Sequence, residues 1–245
     1  MEIAEHLHVL DTEGRRLAAA AELAGVDAKV PTCPGWQIRD LLRHTGMVHR
    51  WAAAFVAEEH RSYHPDGGLP DLDEEPLLDW FRQGHTYLVE TLTQAPPDVA
   101  CWSFLPAPTP LAFWARRQAH ETTVHRIDAQ SALTTAPDPI SVDVAVDGIE
   151  ELLLGMHARD KSRVRSDEPK VLRVRATDTE AIWTVRLSQD PPATERGEAG
   201  EADCELAGPA ARLYLSLWNR LPFPSLTGDA SVAALWRERS AITWG

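Results

Sequence analysis

Four stretches in the first half of the chain repeat apolar residues at helical spacing, and nothing between them alternates as a strand does. The first runs from about Ile3 to Leu23, with Ile3, Leu7, Leu10, Leu17 and Ala21 on one stripe. Gly25 and then Pro31-Thr32-Cys33-Pro34-Gly35 break it, because proline lacks the backbone donor and glycine frees the backbone. The second spans about Gln37 to Glu59 and buries Ile38, Leu41, Leu42, Thr45, Val48, Ala52, Phe55 and Val56. The third covers about Glu74 to Gln94, with Asp73 as its N-cap, and the fourth about Leu111 to Leu133. Four amphipathic helices in succession predict a helical bundle. The proline-dotted connections, longer than an idealised bundle needs, leave room for crossovers or a lid.

The period changes after Thr134-Thr135-Ala136-Pro137-Asp138-Pro139, which reads as a linker. Val142 to Met156 is again helical. Val171 to Arg175 and Ile182 to Leu187 then alternate with the two-residue period of half-buried strands. Asp203 to Leu206 is a weaker third strand. A helix follows from Pro209 to about Trp218, and Gly228-Asp229 precedes a last one ending near Arg239. The polar stretch Asp190 to Gly200 reads as a mobile hairpin loop. The expected architecture is a four-helix bundle over residues 1–135 and a small α+β domain over residues 140–245 with an antiparallel sheet.

Charge narrows the possible partners. Lys and Arg number 24 against 37 Asp and Glu, a formal net charge of -13 in 245 residues. Such a surface repels phosphate backbones and anionic lipids, so neither nucleic acid nor a membrane is an expected partner. The three cysteines, Cys33, Cys101 and Cys204, form no CxxC pair or disulfide framework. With no apolar run at the N-terminus, the expected compartment is the cytoplasm.

Histidines concentrate in the helical half. Of 10 in the chain, only His157 follows His125. On the fourth helix Trp114, Gln118, Glu121, His125 and Asp128 share one polar face, while His120, Val124 and Ile127 look like packing. Glu121 and His125 at i and i+4 can reach one ion, and imidazole with carboxylate suits zinc, iron, manganese or nickel. The same spacing also suits a surface ion pair. On the second helix, phase alone favours His49, nearer the middle of the apolar stripe, over His44 at its edge. His85 reads as a boundary residue, and His60 and His64 as surface loop residues. There is no nucleophile elbow, phosphate loop or dinucleotide fingerprint. Cys33, in Pro31-Thr32-Cys33-Pro34-Gly35-Trp36, reads as part of a rigid corner packed by Trp36.

That corner, with Ile38-Arg39-Asp40-Leu41-Leu42 and His44, resembles the start of the mycothiol-dependent maleylpyruvate isomerase family of actinobacteria, whose bundle is similar to DinB-like metal-binding proteins. His120-Glu121-Thr122-Thr123-Val124-His125-Arg126-Ile127-Asp128-Ala129 resembles its second motif. Ala176-Thr177-Asp178, Trp183, Leu215 to Arg220 and Gly228-Asp229-Ala230 are similar to its sterol-carrier-like C-terminal domain. The resemblance covers nearly the whole chain, with short motifs in matching order. It implies His44, Glu121 and His125 as ligands of zinc or another divalent metal, and mycothiol as the thiol cofactor. Through it His49 becomes, with Asp128, a residue supporting the ligands. It also implies a catalytic arginine, matched here by Arg220, preceded by Asn219 where the pattern has glycine. The expected activity is thiol transfer to, or isomerisation of, a small electrophile. A thiol-independent metal hydrolase and a non-enzymatic ligand-binding protein are the alternatives.

Overall fold

The computed structural model describes residues 1–242. Its contacts divide the chain into two compact units, Met1–Asp138 and a second beginning at Pro139. No helix among the described residues is long and apolar enough to cross a membrane.

The first unit holds four helices: α1 (Ile3–Ala24), α2 (Ile38–Ala57), α3 (Glu74–Gln94) and α4 (Pro110–Ser131). Each starts where the sequence offers a partner for the otherwise orphaned first-turn N–H groups. Asp40 accepts from the Gln37 N–H at 2.9 Å, Asp73 accepts from Glu74, and Thr109 accepts from Ala112 ahead of Pro110 at the first position. Leu10, Leu17, Leu41, Phe55, Phe81 and Leu88 are fully buried between them. α1 packs chiefly on α4, and α2 on α3. Gly14 lets α1 approach α3, since a Cβ there would lie 2.2 Å from the His85 ring. That ring is buried and bonded to the Leu10 carbonyl at 3.1 Å, rather than sitting at a boundary.

α4 departs from the amphipathic expectation. It is buried on every face, polar residues included. A helix can be both polar and central only if its polar groups find partners within the fold. Here Arg126 reaches Glu13 of α1, Thr122 meets His49 of α2, and Thr123 bonds back to the Ala119 carbonyl.

The second unit opens with α5 (Val142–Glu150), capped by Ser141, which runs into a π-helical turn, Glu151–Met156. There the His157 N–H bonds the Leu152 carbonyl five residues back. Five strands follow: β1 (Lys170–Ala176), β2 (Ile182–Leu187), β3 (Ala193–Arg196), β4 (Cys204–Gly208) and β5 (Leu226–Gly228), in the order β3-β2-β1-β4-β5. Helices α6 (Ala210–Leu217) and α7 (Ala230–Arg239) complete the unit. Leu172, Val174, Trp183, Val185, Cys204 and Leu206 form the sheet's buried layer.

Two expectations change here. The stretch Asp190 to Gly200 contains β3, an edge strand paired with β2 from Trp183↔Arg196 to Arg186↔Ala193. The sheet is mixed rather than wholly antiparallel, because β4 pairs parallel with β1. The chain leaving β3 therefore crosses one sheet face to reach the far side of β1. Arg173 and Thr184, cross-strand neighbours on that face, hold the crossing segment. Thr184 donates to the Gly197 carbonyl at 2.8 Å, and Arg173 bonds Glu198 and the Gly200 carbonyl.

His157 is buried against Trp236, with ring centroids 4.8 Å apart, and its Nε2 has no hydrogen-bond partner. Burial disfavours the charged ring and pushes its pKa from 6.5 down to about 4. Between those values the unfolded chain takes up a proton that the folded one refuses, so stability falls as pH drops through that window. The expected loss is about 3 kcal/mol. Denaturant unfolding of wild type and His157→Gln between pH 7 and 4 checks it. Parallel pH profiles for the two proteins would show that His157 is not the cause.

Candidate metal centre

α2 and α4 run antiparallel, since His44 reaches Glu121 while Phe55, further along α2, stacks on Trp114, earlier in α4. This crossing brings His44, Glu121 and His125 together with one ligand atom of each within 4.8 Å of the others. Glu121 Oε1 lies 3.4 Å from His44 Nε2 and 3.2 Å from His125 Nε2. Bonds of zinc to nitrogen or oxygen of about 2.0–2.2 Å at tetrahedral angles place neighbouring donors roughly 3.3 Å apart. Two imidazoles and a carboxylate at these spacings fit a divalent ion of zinc's kind.

The surroundings fix each donor. His125 Nδ1 lies 2.9 Å from Asp128 Oδ2, and the other Asp128 oxygen accepts from the Thr32 hydroxyl at 2.6 Å. An Nδ1–H donated to Asp128 reserves Nε2 for an ion; without one, Nε2 carries a proton donated to Glu121. Arg117 is buried one turn before Glu121 and donates to its Oε2 at 3.2 Å. Trp36 covers both imidazoles, edge-on to His44 at 5.2 Å and stacked on His125 at 6.3 Å.

Burial works against charge on both Glu121 and His125, but their partners outweigh it. Hydrogen bonds from His125 and His44 hold the Glu121 carboxyl well below the usual range. Asp128 and Glu121 raise His125 to about 9 in the metal-free protein. For His49, burial and then the neighbouring His85 push the pKa well below 6.5, so it is neutral.

Asp128 thus touches His125 of the candidate centre directly. His49 does not: it is fully buried, and its Nε2 lies 2.9 Å from the hydroxyl of Thr122, the residue after Glu121. Arg220 belongs to the second unit. It is the second residue past the helix-capping Trp218 in a Schellman turn, its N–H bonding the Leu215 carbonyl at 2.8 Å and that of Asn219 bonding Ser216 at 3.0 Å. Asn219 has φ 63°. Asparagine tolerates this left-handed conformation better than other non-glycine residues, so the expected glycine is replaced without changing the turn.

Sequence reasoning missed Arg117, although an arginine four residues before a glutamate on one helix was available as a signal. It also read the Pro31 to Trp36 corner as packing alone, whereas the corner delivers Thr32 and Trp36 to the site. Replacing Asp128 by asparagine is expected to weaken zinc binding about tenfold by removing the charge behind His125. Competition against a chromogenic chelator measures this, and an unchanged affinity would remove Asp128 from the centre.

Comparison with known proteins agrees with this architecture. Residues 7–130 match the model of the mycothiol maleylpyruvate isomerase N-terminal domain, and residues 143–236 that of the C-terminal domain of the same family. A crystal structure of a histidine-to-alanine variant of the mycothiol-dependent maleylpyruvate isomerase superposes with a TM-score of 0.63, at 11% identity over 90% of each chain. A second crystal structure of the mycothiol-dependent maleylpyruvate isomerase gives 0.60, at 12% identity over 89% of each. No curated protein matches by sequence. Matched by both domain models along most of its length, the chain belongs to the mycothiol maleylpyruvate isomerase family.

Proposed function

We propose that this protein is a zinc-dependent enzyme that uses mycothiol to isomerise or thiolate a small electrophile, with His44, Glu121 and His125 as the zinc ligands. The observation that carries this reading is the spacing of 3.4 and 3.2 Å between the three donors, which suits a tetrahedral ion. Three protein ligands leave a fourth position for an exchangeable group, as in catalytic rather than structural sites. A divalent cation there favours thiolate over thiol at neutral pH.

The chain's own residues prepare the rest. Asp128 keeps the His125 proton on Nδ1, Arg117 donates to Glu121 Oε2, and Trp36 packs over the two imidazoles. Thiolate addition to a cis double bond conjugated with a carbonyl gives a single bond that rotates. Expulsion of the same thiolate then gives the trans isomer and returns the thiol unchanged. If the adduct is protonated instead, the product is a conjugate. Arg220 is assigned to hold a substrate carboxylate by a bidentate contact.

The test is turnover of cis-unsaturated keto acids, maleylpyruvate first, by zinc-loaded protein with and without mycothiol. Activity that vanishes without the thiol supports the reading. Turnover that persists without it would point to a hydrolase acting through bound water. Ligand binding unaffected by His44→Ala, with no turnover, would make the chain a binding protein.

A further inference from the structure

The face that carries the three donors continues beyond them. One heptad onward from His44 on α2 stands Trp51, and one heptad back from Glu121 on α4 stands Trp114. Because the helices are antiparallel, these two also meet, with ring centroids 5.4 Å apart. A heptad is two turns, about 10 Å along the axis and back to nearly the same face. Val48 and Gln118 occupy the positions between. Beyond them Trp51 packs edge-on to Phe55 at 5.0 Å and Trp102 at 6.3 Å, and Tyr63 meets Trp102 at 5.7 Å.

Three observations mark this cluster as more than core. Trp51 and Trp102 remain half-buried, and Tyr63 is 64% exposed. The indole N–H groups of Trp51 and Trp114 are spent on backbone carbonyls, those of His64 at 2.7 Å and Trp102 at 2.9 Å, so the half-buried Trp51 ring offers apolar π surface and the fully buried Trp114 backs it. Gln118, 1% exposed, keeps its side-chain oxygen without a hydrogen-bond partner, and such a buried acceptor calls for a ligand or water. The cluster is also fixed in advance, because the Trp102 backbone N–H bonds the His60 carbonyl at 2.7 Å.

We propose that Trp51, Trp102 and Tyr63 form a recognition shelf for the remote end of the electrophile. The substrate class is then an elongated, planar, conjugated acid, its unsaturated end at the metal centre and an aromatic or polyene end on the shelf. The first half of that placement rests on the metal-centre reading above; the second rests on the shelf alone.

Calorimetric binding of acrylate, cinnamate and para-phenylcinnamate to the zinc-loaded full-length protein, without thiol, tests the shelf. Affinity is expected to rise at least about tenfold from acrylate to para-phenylcinnamate. Trp51→Ala should abolish that rise, Trp51→Phe should keep most of it, and both should retain the zinc content of the wild type. Tyr63→Ala, at an exposed position that cannot threaten the fold, should reduce the rise by a few-fold. Equal affinity for the three acids, or a rise that survives both alanine variants, overturns the proposal. So does weakening of mycothiol binding, in place of the aromatic acid, by Trp51→Ala. Glu121→Ala separates the two ideas: if the rise persists in protein that has lost its zinc, the shelf stands whatever becomes of the metal centre.

Discussion

Glu121→Ala is expected to reduce zinc from about one per chain to none in protein purified without added metal or an affinity tag. Glu121 touches both histidines and carries the only negative charge among the three donors. Altering a residue behind the ligands costs roughly 10–100-fold in affinity, and removing a ligand must cost more. The variant also removes the Glu121 acceptor from the buried Arg117, so part of any loss of stability would come from that pair. Glu121→Gln separates the two effects. Its amide oxygen still accepts from Arg117, so the fold is largely restored while the ion loses its anionic ligand. Elemental mass spectrometry with far-UV circular dichroism decides the outcome. A folded Glu121→Gln that retains full zinc would remove Glu121 from the ligand set. A wild type without zinc, even after reconstitution, would overturn the metal centre itself.

The bundle was legible in the sequence because α1, α2 and α3 bury a stripe every third or fourth residue, although α4 is buried on every face. The choice between His44 and His49 was not legible from phase. His49 lies deeper in the apolar stripe, and that depth is why it misses the metal centre: its ring is wedged beside Phe81 and His85. His44 stands at the stripe's edge, where α2 faces α4. The resemblance, not the periodicity, singled it out.

Long-range partners were hidden for a different reason. Thr32 and Asp128 are 96 residues apart, and nothing local in either segment names the other. In the second unit β3 is Ala193-Thr194-Glu195-Arg196, an edge strand with no buried side chain, and all of β5 is exposed, so neither carries apolar alternation. The parallel pairing of β4 with β1 depends on how the chain crosses the sheet. Its anchor, Arg173 paired across from Thr184, reads in sequence as two ordinary outward-facing strand residues.

Arg126→Ala is expected to destabilise the helical unit by about 3–5 kcal/mol, since it breaks a buried ion pair from one side. Arg126 is fully buried on α4, with Nε 2.5 Å from Glu13 Oε2 on α1 and Nη1 2.9 Å from Gln130 Oε1 and 2.6 Å from the Asp138 carbonyl. One side chain therefore ties α4 to α1 and to the end of the unit. Glu13 retains Arg16 at 3.0 Å, but the Arg16 side chain is 44% exposed and compensates poorly for a lost internal partner. A double-mutant cycle distinguishes the pair's worth from the cost of stranding one charge. Glu13→Leu with Arg126→Met should recover most of the stability that either single change loses, because no unpaired charge remains inside. If the double variant is as unstable as the sum of the singles, the two residues are uncoupled and the pair contributes nothing. If it is as stable as wild type, Arg126 serves to set the register of α4 on α1, and hence of Glu121 and His125 against His44, and the zinc affinity of the double variant should fall even though its stability does not.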